Sequence, residues 1–235
     1  MTKIAYHNIS STTLFNFTDT YDHLVSNLEK GFYCGDIYEK LPFSNKIGYR
    51  VPMVCFCDIP LGQIKEHLVW YGSFGIGIKR DYARENGVNP VWYIHKDNPV
   101  IKKAYLSKNR VELASSSILP YLKQFLGYQK NLNKEEHLKK FYDEREWRYV
   151  PQEPIYSAEL MDKGSHLINE EYVELKKRKT VMPIDLSKIE YIIVDKEENK
   201  IKLYKVLDKL SKKSGVRYEN LVSSIITCTQ IRKDF

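Results

Sequence analysis

The stretch VPMVCFCDIPLGQIKEHLVWYGSFGIGIK, residues Val51 to Lys79, carries the clearest succession of structural signals in the chain. It opens with an apolar, strand-favouring run from Met53 to Cys57, which Asp58 and Pro60 close. A helical pattern follows and stops at Gly72. A second apolar run, FGIGI, has glycine at alternate positions, which is typical of a place where backbone or a ligand comes close. The stretch therefore predicts a strand, a helix and a second strand, with polar side chains at the junctions.

The segments on either side of this stretch predict further short elements. Apolar and polar residues alternate in a predicted strand at 12–18, and the helix after it is expected to end at Gly31. Residues 32–50 have no period and predict a long loop. The apolar spacing from residue 99 to about residue 128 is helical, whereas residues 129–140 are polar and expected to be exposed. Nearer the C-terminus, strands are predicted at 144–150, 189–194 and 224–228, and a helix at 201–210.

Length and composition bound the fold class. The chain has 235 residues and 43% hydrophobic content, enough to bury a substantial core. No apolar run reaches the roughly 18 to 20 residues that span a bilayer, and the first residues lack a signal-peptide core. A cytoplasmic protein without a membrane partner is therefore expected. Without a visible repeat or linker, residues 1–235 are predicted to form one α/β (α+β) domain, with a split, mostly antiparallel sheet and flanking helices.

The charge and the cysteine content are compatible with several kinds of binding partner, and they do not indicate a metal site. The formal net charge is +7, and the densest basic run is Lys176–Lys179. A short run of this kind fits a nucleic-acid surface, but a solvated helix face explains it more simply. The four cysteines show neither a disulfide framework nor the spacing of zinc ligands, so buried structural cysteines and no metal site are expected.

The segment EREWRYV, residues 144–150, is the most informative short motif. On a strand, Glu144, Glu146 and Arg148 share one face. Two carboxylates beside a guanidinium are costly to bury unless they are paired. Either the carboxylates pair with cross-strand lysines at the surface, or they belong to a catalytic site.

Two other polar residues in the opening stretch have ordinary explanations. Asp58 precedes a helical pattern and is expected to cap it. His67 lies within that pattern, where a structural role is favoured over that of a general base.

A series of motifs resembles one bacterial family. The motifs are LFNFT from Leu14, GFY from Gly31, PMVCFCDIPL from Pro52, YGSFGIGIK from Tyr71, NPV from Asn89 and EREWRYVP from Glu144. Together they closely resemble the abortive phage resistance family AbiGi. That family is described as the antitoxin half of an abortive-infection toxin–antitoxin pair. The resemblance implies a role in phage defence and a cognate toxin or antitoxin protein as partner.

The order of elements is also similar, more distantly, to ADP-ribosyltransferase-type folds such as the DarT-like toxins. This resemblance implies an ADP-ribosyltransferase-like fold with NAD as the bound dinucleotide. It places Asn16 and Thr18 on the first strand as NAD-binding residues, Tyr71 against the nicotinamide, and Glu146 as the catalytic glutamate. Asn16 departs from the histidine that is usual at the first position, although its amide still donates and accepts hydrogen bonds.

The chemistry implied by this second resemblance explains the residue types. Cleavage of the nicotinamide–ribose bond builds positive charge on the ribose, which a carboxylate stabilises most strongly in the transition state. Glu146 would supply that carboxylate, Glu144 would prepare the acceptor, and Arg148 or Lys79 would lie near the phosphates. Two functions remain open. One is an enzyme that uses NAD to modify a nucleic acid or a protein, and the other is a non-catalytic antitoxin or regulator, with DNA as one candidate ligand.

Overall fold

A computed structural model describes residues 11–42, 47–99, 103, 118–151, 159–162 and 180–234. The basic run Lys176–Lys179, which was predicted to be a solvated helix face, lies outside these residues. The strands are β1 (Thr13–Thr18), β2 (Phe32–Tyr33), β3 (Gly35–Lys40), β4 (Ile47–Cys57), β5 (Phe74–Lys79), β6 (Asn89–Pro90), β7 (Trp92–Ile94), β8 (Leu122–Gln124), β9 (Leu126–Lys130), β10 (Glu136–Lys140), β11 (Glu146–Tyr149), β12 (Glu159–Asp162), β13 (Val181–Met182), β14 (Ile189–Val194) and β15 (Ile225–Thr227). The helices are α1 (Tyr21–Lys30), α2 (Lys65–Tyr71), α3 (Arg80–Glu85), α4 (Glu197–Ser214), α5 (Tyr218–Ser223) and α6 (Cys228–Asp234), and 3-10 turns occur at Leu61–Gln63, Leu119–Tyr121, Phe141–Glu144 and Leu186–Lys188.

Nine of the described strands form one sheet, whose main path runs β15-β14-β5-β1-β4-β11-β6. Every pairing in it is antiparallel except that of β14 with β15. The long strand β4 organises one half, because its C-terminal end pairs with β1 and β11 while its N-terminal end pairs with β3 and β12. The predicted mixed α/β class with a mostly antiparallel sheet and helices is confirmed.

Helices cover both faces of the sheet. Leucines of α1, α4 and α5 pack on one face, against Leu14, Phe56 and Ile76. Leu68 of α2 and Ile231 of α6 belong to a separate core on the other face. Among the described residues, no helix has both the length and the apolar composition needed to cross a membrane.

The alternate glycines of β5 serve side-chain packing. A Cβ on Gly77 would lie 2.7 Å from the ring of Phe15, and one on Gly75 would lie 2.9 Å from the ring of Phe17. These residues face each other across the β1–β5 ladder. The close approach predicted for the glycines is therefore confirmed, but it is an approach of β1 rings to the β5 backbone.

Several local predictions are wrong, and the reason is tertiary pairing. Residues 32–50 were expected to form a loop, but β2, β3 and the start of β4 occupy most of them. The helix expected over residues 99–128 is replaced, from residue 119 onward, by a 3-10 turn and by β8 and β9; residues 100–102 and 104–117 lie outside the described part. The polar segment 129–140 is mostly exposed, as predicted, although most of it belongs to the β9–β10 hairpin.

Asp58 does not cap a helix, because neither the Leu61–Gln63 turn nor α2 has a side-chain cap. Its carboxylate accepts a hydrogen bond from the backbone N–H of Ser11 at 2.7 Å. It also lies within 4 Å of the guanidinium groups of Arg80 and Arg145. Asp58 therefore ties together chain segments that are distant in sequence.

Candidate functional site

A cavity of about 830 Å³ opens between β1, β3, β4, α2, the β9–β10 hairpin and the residues that precede β11. Its volume lies within the range of small-molecule sites in proteins. Glu144 and Glu146 form part of its lining, together with Lys123 of β8. Both predicted catalytic residues, Glu144 and Glu146, therefore border a cavity large enough to hold a small molecule.

Glu146 lies at the bottom of this cavity and is 6% exposed. Its Oε1 accepts a hydrogen bond from Nε of Arg148 at 2.7 Å. Its Oε2 accepts one from Nζ of Lys123 at 2.5 Å and a longer one from Arg148 at 3.3 Å. The strand register explains the position, because Glu146 is opposite Cys57 on β4, and Cys57 is opposite Phe15 on β1. Glu146 therefore faces the α2 side of the sheet.

Glu144 also lines the cavity, but it belongs to a different structural element from the strand that was predicted. It belongs to the 3-10 turn Phe141–Glu144, and Arg145 separates it from β11 with a left-handed φ of 48°. Its carboxylate contacts Lys139 at 2.6 Å and Lys123 at 3.0 Å, and it accepts a short hydrogen bond from the hydroxyl of Tyr71. The prediction that both carboxylates lie on one strand face is wrong, although both line the cavity.

A third carboxylate, Glu39 of β3, completes the group. It accepts a hydrogen bond from Nη2 of Arg148 at 2.8 Å. Arg148 is fully buried and also donates to the carbonyl of Pro120 at 2.6 Å. We name these six side chains the carboxylate–cation cluster: Glu39, Glu144, Glu146, Lys123, Lys139 and Arg148. Its three negative and three positive formal charges cancel.

The cations of the cluster keep Glu144 and Glu146 ionised. Burial by itself raises the pKa of Glu146, but Arg148 and Lys123 outweigh it, so the pKa lies well below its ordinary value of 4.5. Burial acts on Glu144 in the same way, and Lys123 and Lys139 hold its pKa below the ordinary value. The predicted pairing of these carboxylates with lysines is therefore confirmed, whereas the predicted surface location is wrong.

Aromatic rings form one wall of the cavity. The ring of His67 packs against Tyr71 at 4.7 Å between centroids, with the two planes tilted by 39°, and its centroid lies 5.8 Å from that of Phe17. Nζ of Lys139 lies over the rings of Trp70 and Tyr71, at 4.1 and 4.6 Å from their centroids. Burial lowers the pKa of His67 to about 4, an effect that Glu144 partly opposes. The wall therefore presents a neutral imidazole beside ionised carboxylates.

The structure brings some predicted binding residues to the cavity and leaves others outside it. Asn16 and Tyr71 line the cavity with Glu146. The Asn16 side chain nevertheless lies on the sheet face opposite to Glu146, where its amide donates to the carbonyl of Cys55 at 2.9 Å and its oxygen accepts from the amide of Asn27 on α1. Thr18 is absent from the lining, and the register places it on the sheet face opposite to Glu146. A direct contact between Thr18 and a ligand in this cavity is therefore not expected.

Arg148 also has a different position from the one predicted. It was expected near the phosphates of a dinucleotide, but it lies beneath Glu146 and is not part of the cavity lining. Its Nε, Nη1 and Nη2 atoms all donate to protein groups. Arg148 therefore stabilises the negative charge of Glu146 and orients its carboxylate.

Sequence reasoning missed Lys123, Lys139 and Glu39. Lys123 and Lys139 lie in segments predicted as a helix and as exposed polar chain, and Glu39 lies in a segment predicted as a loop. The available signal was indirect: two neighbouring carboxylates that are to be buried require cations from elsewhere in the chain. Nothing local to the three residues identified them as those partners.

The cysteines and possible metal ligands offer no second site in the described part of the chain. Cys34, Cys57 and Cys228 are buried free thiols, as predicted, and burial raises their pKa. A thiol with a raised pKa is a poor nucleophile at neutral pH. No cluster of three metal-ligating side chains occurs among the described residues.

The stability of the protein is expected to fall as the pH drops from 6.5 toward 4, partly because of His67. The unfolded chain takes up a proton near the ordinary pKa of 6.5, whereas the folded chain does so only near 4. Folding is therefore favoured less at the lower pH, by at most about 3 kcal/mol. Urea unfolding of the wild type and of His67→Phe between pH 7 and 4 measures this. The variant should lose less stability than the wild type over that interval, and equal losses would contradict the assignment.

Fold and site together define a mixed α/β protein in which four members of a charge-balanced cluster, Glu39, Lys123, Glu144 and Glu146, line a cavity together with aromatic residues. A family model described as "Putative abortive phage resistance protein AbiGi, antitoxin" matches residues 18–195, and the chain belongs to this family. A curated relative, "Abortive phage resistance protein AbiGi" from Lactococcus lactis subsp. cremoris, is 26% identical over 225 residues, which cover 80% of this chain and 90% of the relative.

No solved structure matches the chain. The comparisons confirm the resemblance to the AbiGi family. They give no support to the resemblance to DarT-like ADP-ribosyltransferases.

Proposed function

We propose that this protein acts in abortive-infection defence against phage, and that its cavity binds NAD and breaks the nicotinamide–ribose bond beside Glu146. The defence role rests on membership of the AbiGi family. The proposed chemistry rests on one observation above all: an ionised carboxylate, Glu146, lies at the bottom of an aromatic cavity. The ADP-ribose released in this way would pass to a nucleic-acid or protein acceptor.

The chemistry of the cavity suits the nicotinamide end of NAD. That ring is flat and positively charged, so it is attracted by aromatic faces and by nearby carboxylates. Tyr71 and His67 offer such faces next to Glu144. A neutral His67 avoids the repulsion that an imidazolium would exert on a cationic ring.

Glu146 retains the capacity to act on a substrate. Arg148 and Lys123 donate three hydrogen bonds to Glu146, and the Cys55 thiol also hydrogen-bonds to it, which together account for the roughly four acceptor positions of a carboxylate. Its proposed action therefore rests on its negative charge, not on a free acceptor position. When the bond from the ribose C1′ to the nicotinamide nitrogen breaks, the electron pair leaves with nicotinamide and positive charge develops on the ribose. A fixed negative charge in a site that excludes water stabilises that state strongly.

Glu144 is less suited to the acceptor-activating role that its motif implies. Lys123 and Lys139 hold its pKa below the ordinary value, which makes it a weak proton acceptor. It accepts hydrogen bonds from the hydroxyl of Tyr71 and from Lys139. We therefore propose that Glu144 mainly positions Tyr71 in the cavity wall and pairs with Lys139.

A second candidate is a non-catalytic antitoxin that binds a cognate toxin. The description of the family names an antitoxin. The formal charges of the cluster cancel, and no buried side-chain nitrogen or oxygen among the described residues lacks a hydrogen bond. Such a cluster is satisfied without a ligand, which is what a purely structural role would require.

Titration with NAD distinguishes the two candidates. If the cavity binds NAD, the melting temperature should rise with ligand concentration, and saturation at about 100 times the dissociation constant should add about 2.7 kcal/mol of stability. Thermal melting is followed with NAD and with ATP as control, and nicotinamide release is measured in parallel. No stabilisation by NAD at millimolar concentration would contradict the proposed chemistry and leave the antitoxin candidate.

A further inference from the structure

His67 has an unusual combination of surroundings. Its ring lines the cavity and is held between Tyr71, one helical turn later on α2, and Phe17 of β1. Within the described part of the chain, neither ring nitrogen has a hydrogen bond to a protein group, although the ring packs closely on both neighbours. Because no fully buried side-chain nitrogen among the described residues lacks a hydrogen bond, the His67 nitrogens are accessible to solvent or to a ligand. The ring is therefore fixed in orientation by packing while its polar atoms remain available to the contents of the cavity.

The protonation state of His67 narrows what it can bind. A pKa of about 4 makes the ring neutral at pH 7, with one N–H donor and one acceptor nitrogen. The residues next to it are aromatic or belong to the charge-balanced cluster. A group that presents both an acceptor and a donor, such as a carboxamide, matches this ring better than a phosphate does, because a phosphate is best bound by a positively charged group.

We propose that His67 binds the nicotinamide end of NAD through a hydrogen bond to its carboxamide. This inference rests on the proposed function of the cavity and adds the residue that would select the nicotinamide group. Tyr71 packs against His67 and donates to Glu144, so the imidazole lies near the carboxylates expected to face the cationic ring. His67 is thus a ligand-contacting residue and not a proton carrier, since its ring stays neutral throughout.

The test compares two ligands on two proteins. His67→Phe keeps a flat ring between Phe17 and Tyr71 but removes both nitrogens. Loss of one such hydrogen bond should weaken NAD binding roughly tenfold. ADP-ribose, which lacks nicotinamide, should bind the variant as tightly as the wild type. Affinities are measured by isothermal titration calorimetry, with a melting curve to verify that the variant folds.

Each outcome bears on a different claim. If the wild type binds NAD and His67→Phe binds it equally well, the His67 assignment is overturned while the proposed function stands. Equal weakening of NAD and ADP-ribose binding would indicate a general packing role and also overturn it. If the wild type binds neither ligand, both claims fail.

A comparison of dinucleotides that uses only the wild-type protein tests the proposal even if His67→Phe does not fold. The 3-acetylpyridine analogue of NAD keeps a carbonyl acceptor but lacks the amide donor. If His67 accepts from the amide, the analogue should bind roughly fivefold or more weakly than NAD. If His67 donates to the carbonyl instead, nicotinic acid adenine dinucleotide, whose carboxylate replaces the amide, should show a changed affinity. Equal affinity for all three dinucleotides would overturn the proposal.

Discussion

Replacement of Arg148 by methionine is expected to lower the free energy of unfolding by about 3–5 kcal/mol. Arg148 is fully buried and donates to Glu146, to Glu39 and to the carbonyl of Pro120. Methionine fills a similar volume but leaves two carboxylates and a carbonyl without this partner. For a chain of this size the melting temperature should fall by about 10 °C or more.

Arg50→Met is the matched control for this prediction. Arg50 also forms an ion pair, with Asp36 at 3.0 Å, but its side chain is 41% exposed. Exposed pairs contribute at most about 1 kcal/mol, so this variant should melt close to the wild type. Melting curves and urea titrations of both variants measure the difference. Similar small losses in both would mean that the cluster is not a buried network.

The sequence predicted the framework of the site better than its chemistry. The strand ending at Cys57, the helix ending at Gly72 and the strand at residues 189–194 were all recognisable, because strong periodicity and glycine stops act locally. That Asn16, Thr18, Tyr71 and Glu146 would surround one ligand was implied only by the resemblance to ADP-ribosyltransferase-type folds; three of the four line one cavity, and Thr18 does not.

The cationic half of the cluster could not be predicted, because it depends on pairing between distant segments. Leu119, Leu122 and Leu126 have helical spacing, yet strand pairing of β8 with β7 and of β9 with β10 overrides it. Lys123 and Lys139 acquire their roles only through those pairings. The turn at Arg145, which moves Glu144 off the strand, likewise has no local sequence signal, since its left-handed conformation is rare for arginine.

A single Glu146→Gln substitution would unbalance the charges of the cluster and also remove the proposed catalytic carboxylate. A loss of activity could then not be separated from a loss of stability. Neutralising Glu146 leaves Lys123 and Arg148 with an uncompensated buried positive charge, which is expected to cost about 3–5 kcal/mol. Removing the positive charge of Lys123 at the same time restores the balance. The double variant Lys123→Met with Glu146→Gln should therefore be more stable than Glu146→Gln alone.

A second double variant provides the matched comparison for catalysis. Lys123→Met with Glu144→Gln also keeps the cluster neutral, since Lys123 contacts both carboxylates. The two double variants differ only in which glutamate remains. If Glu146 stabilises the charge that develops on the ribose, the variant that retains Glu146 should exceed the other in nicotinamide release by on the order of a hundredfold.

The most direct measurement of the central claim is phage plating efficiency on cells that express each double variant from the native locus. Folded protein levels are verified in parallel. Protection should be retained to a substantial degree by Lys123→Met with Glu144→Gln and lost by Lys123→Met with Glu146→Gln. Full protection by a folded protein that lacks Glu146 would contradict a catalytic role for this carboxylate.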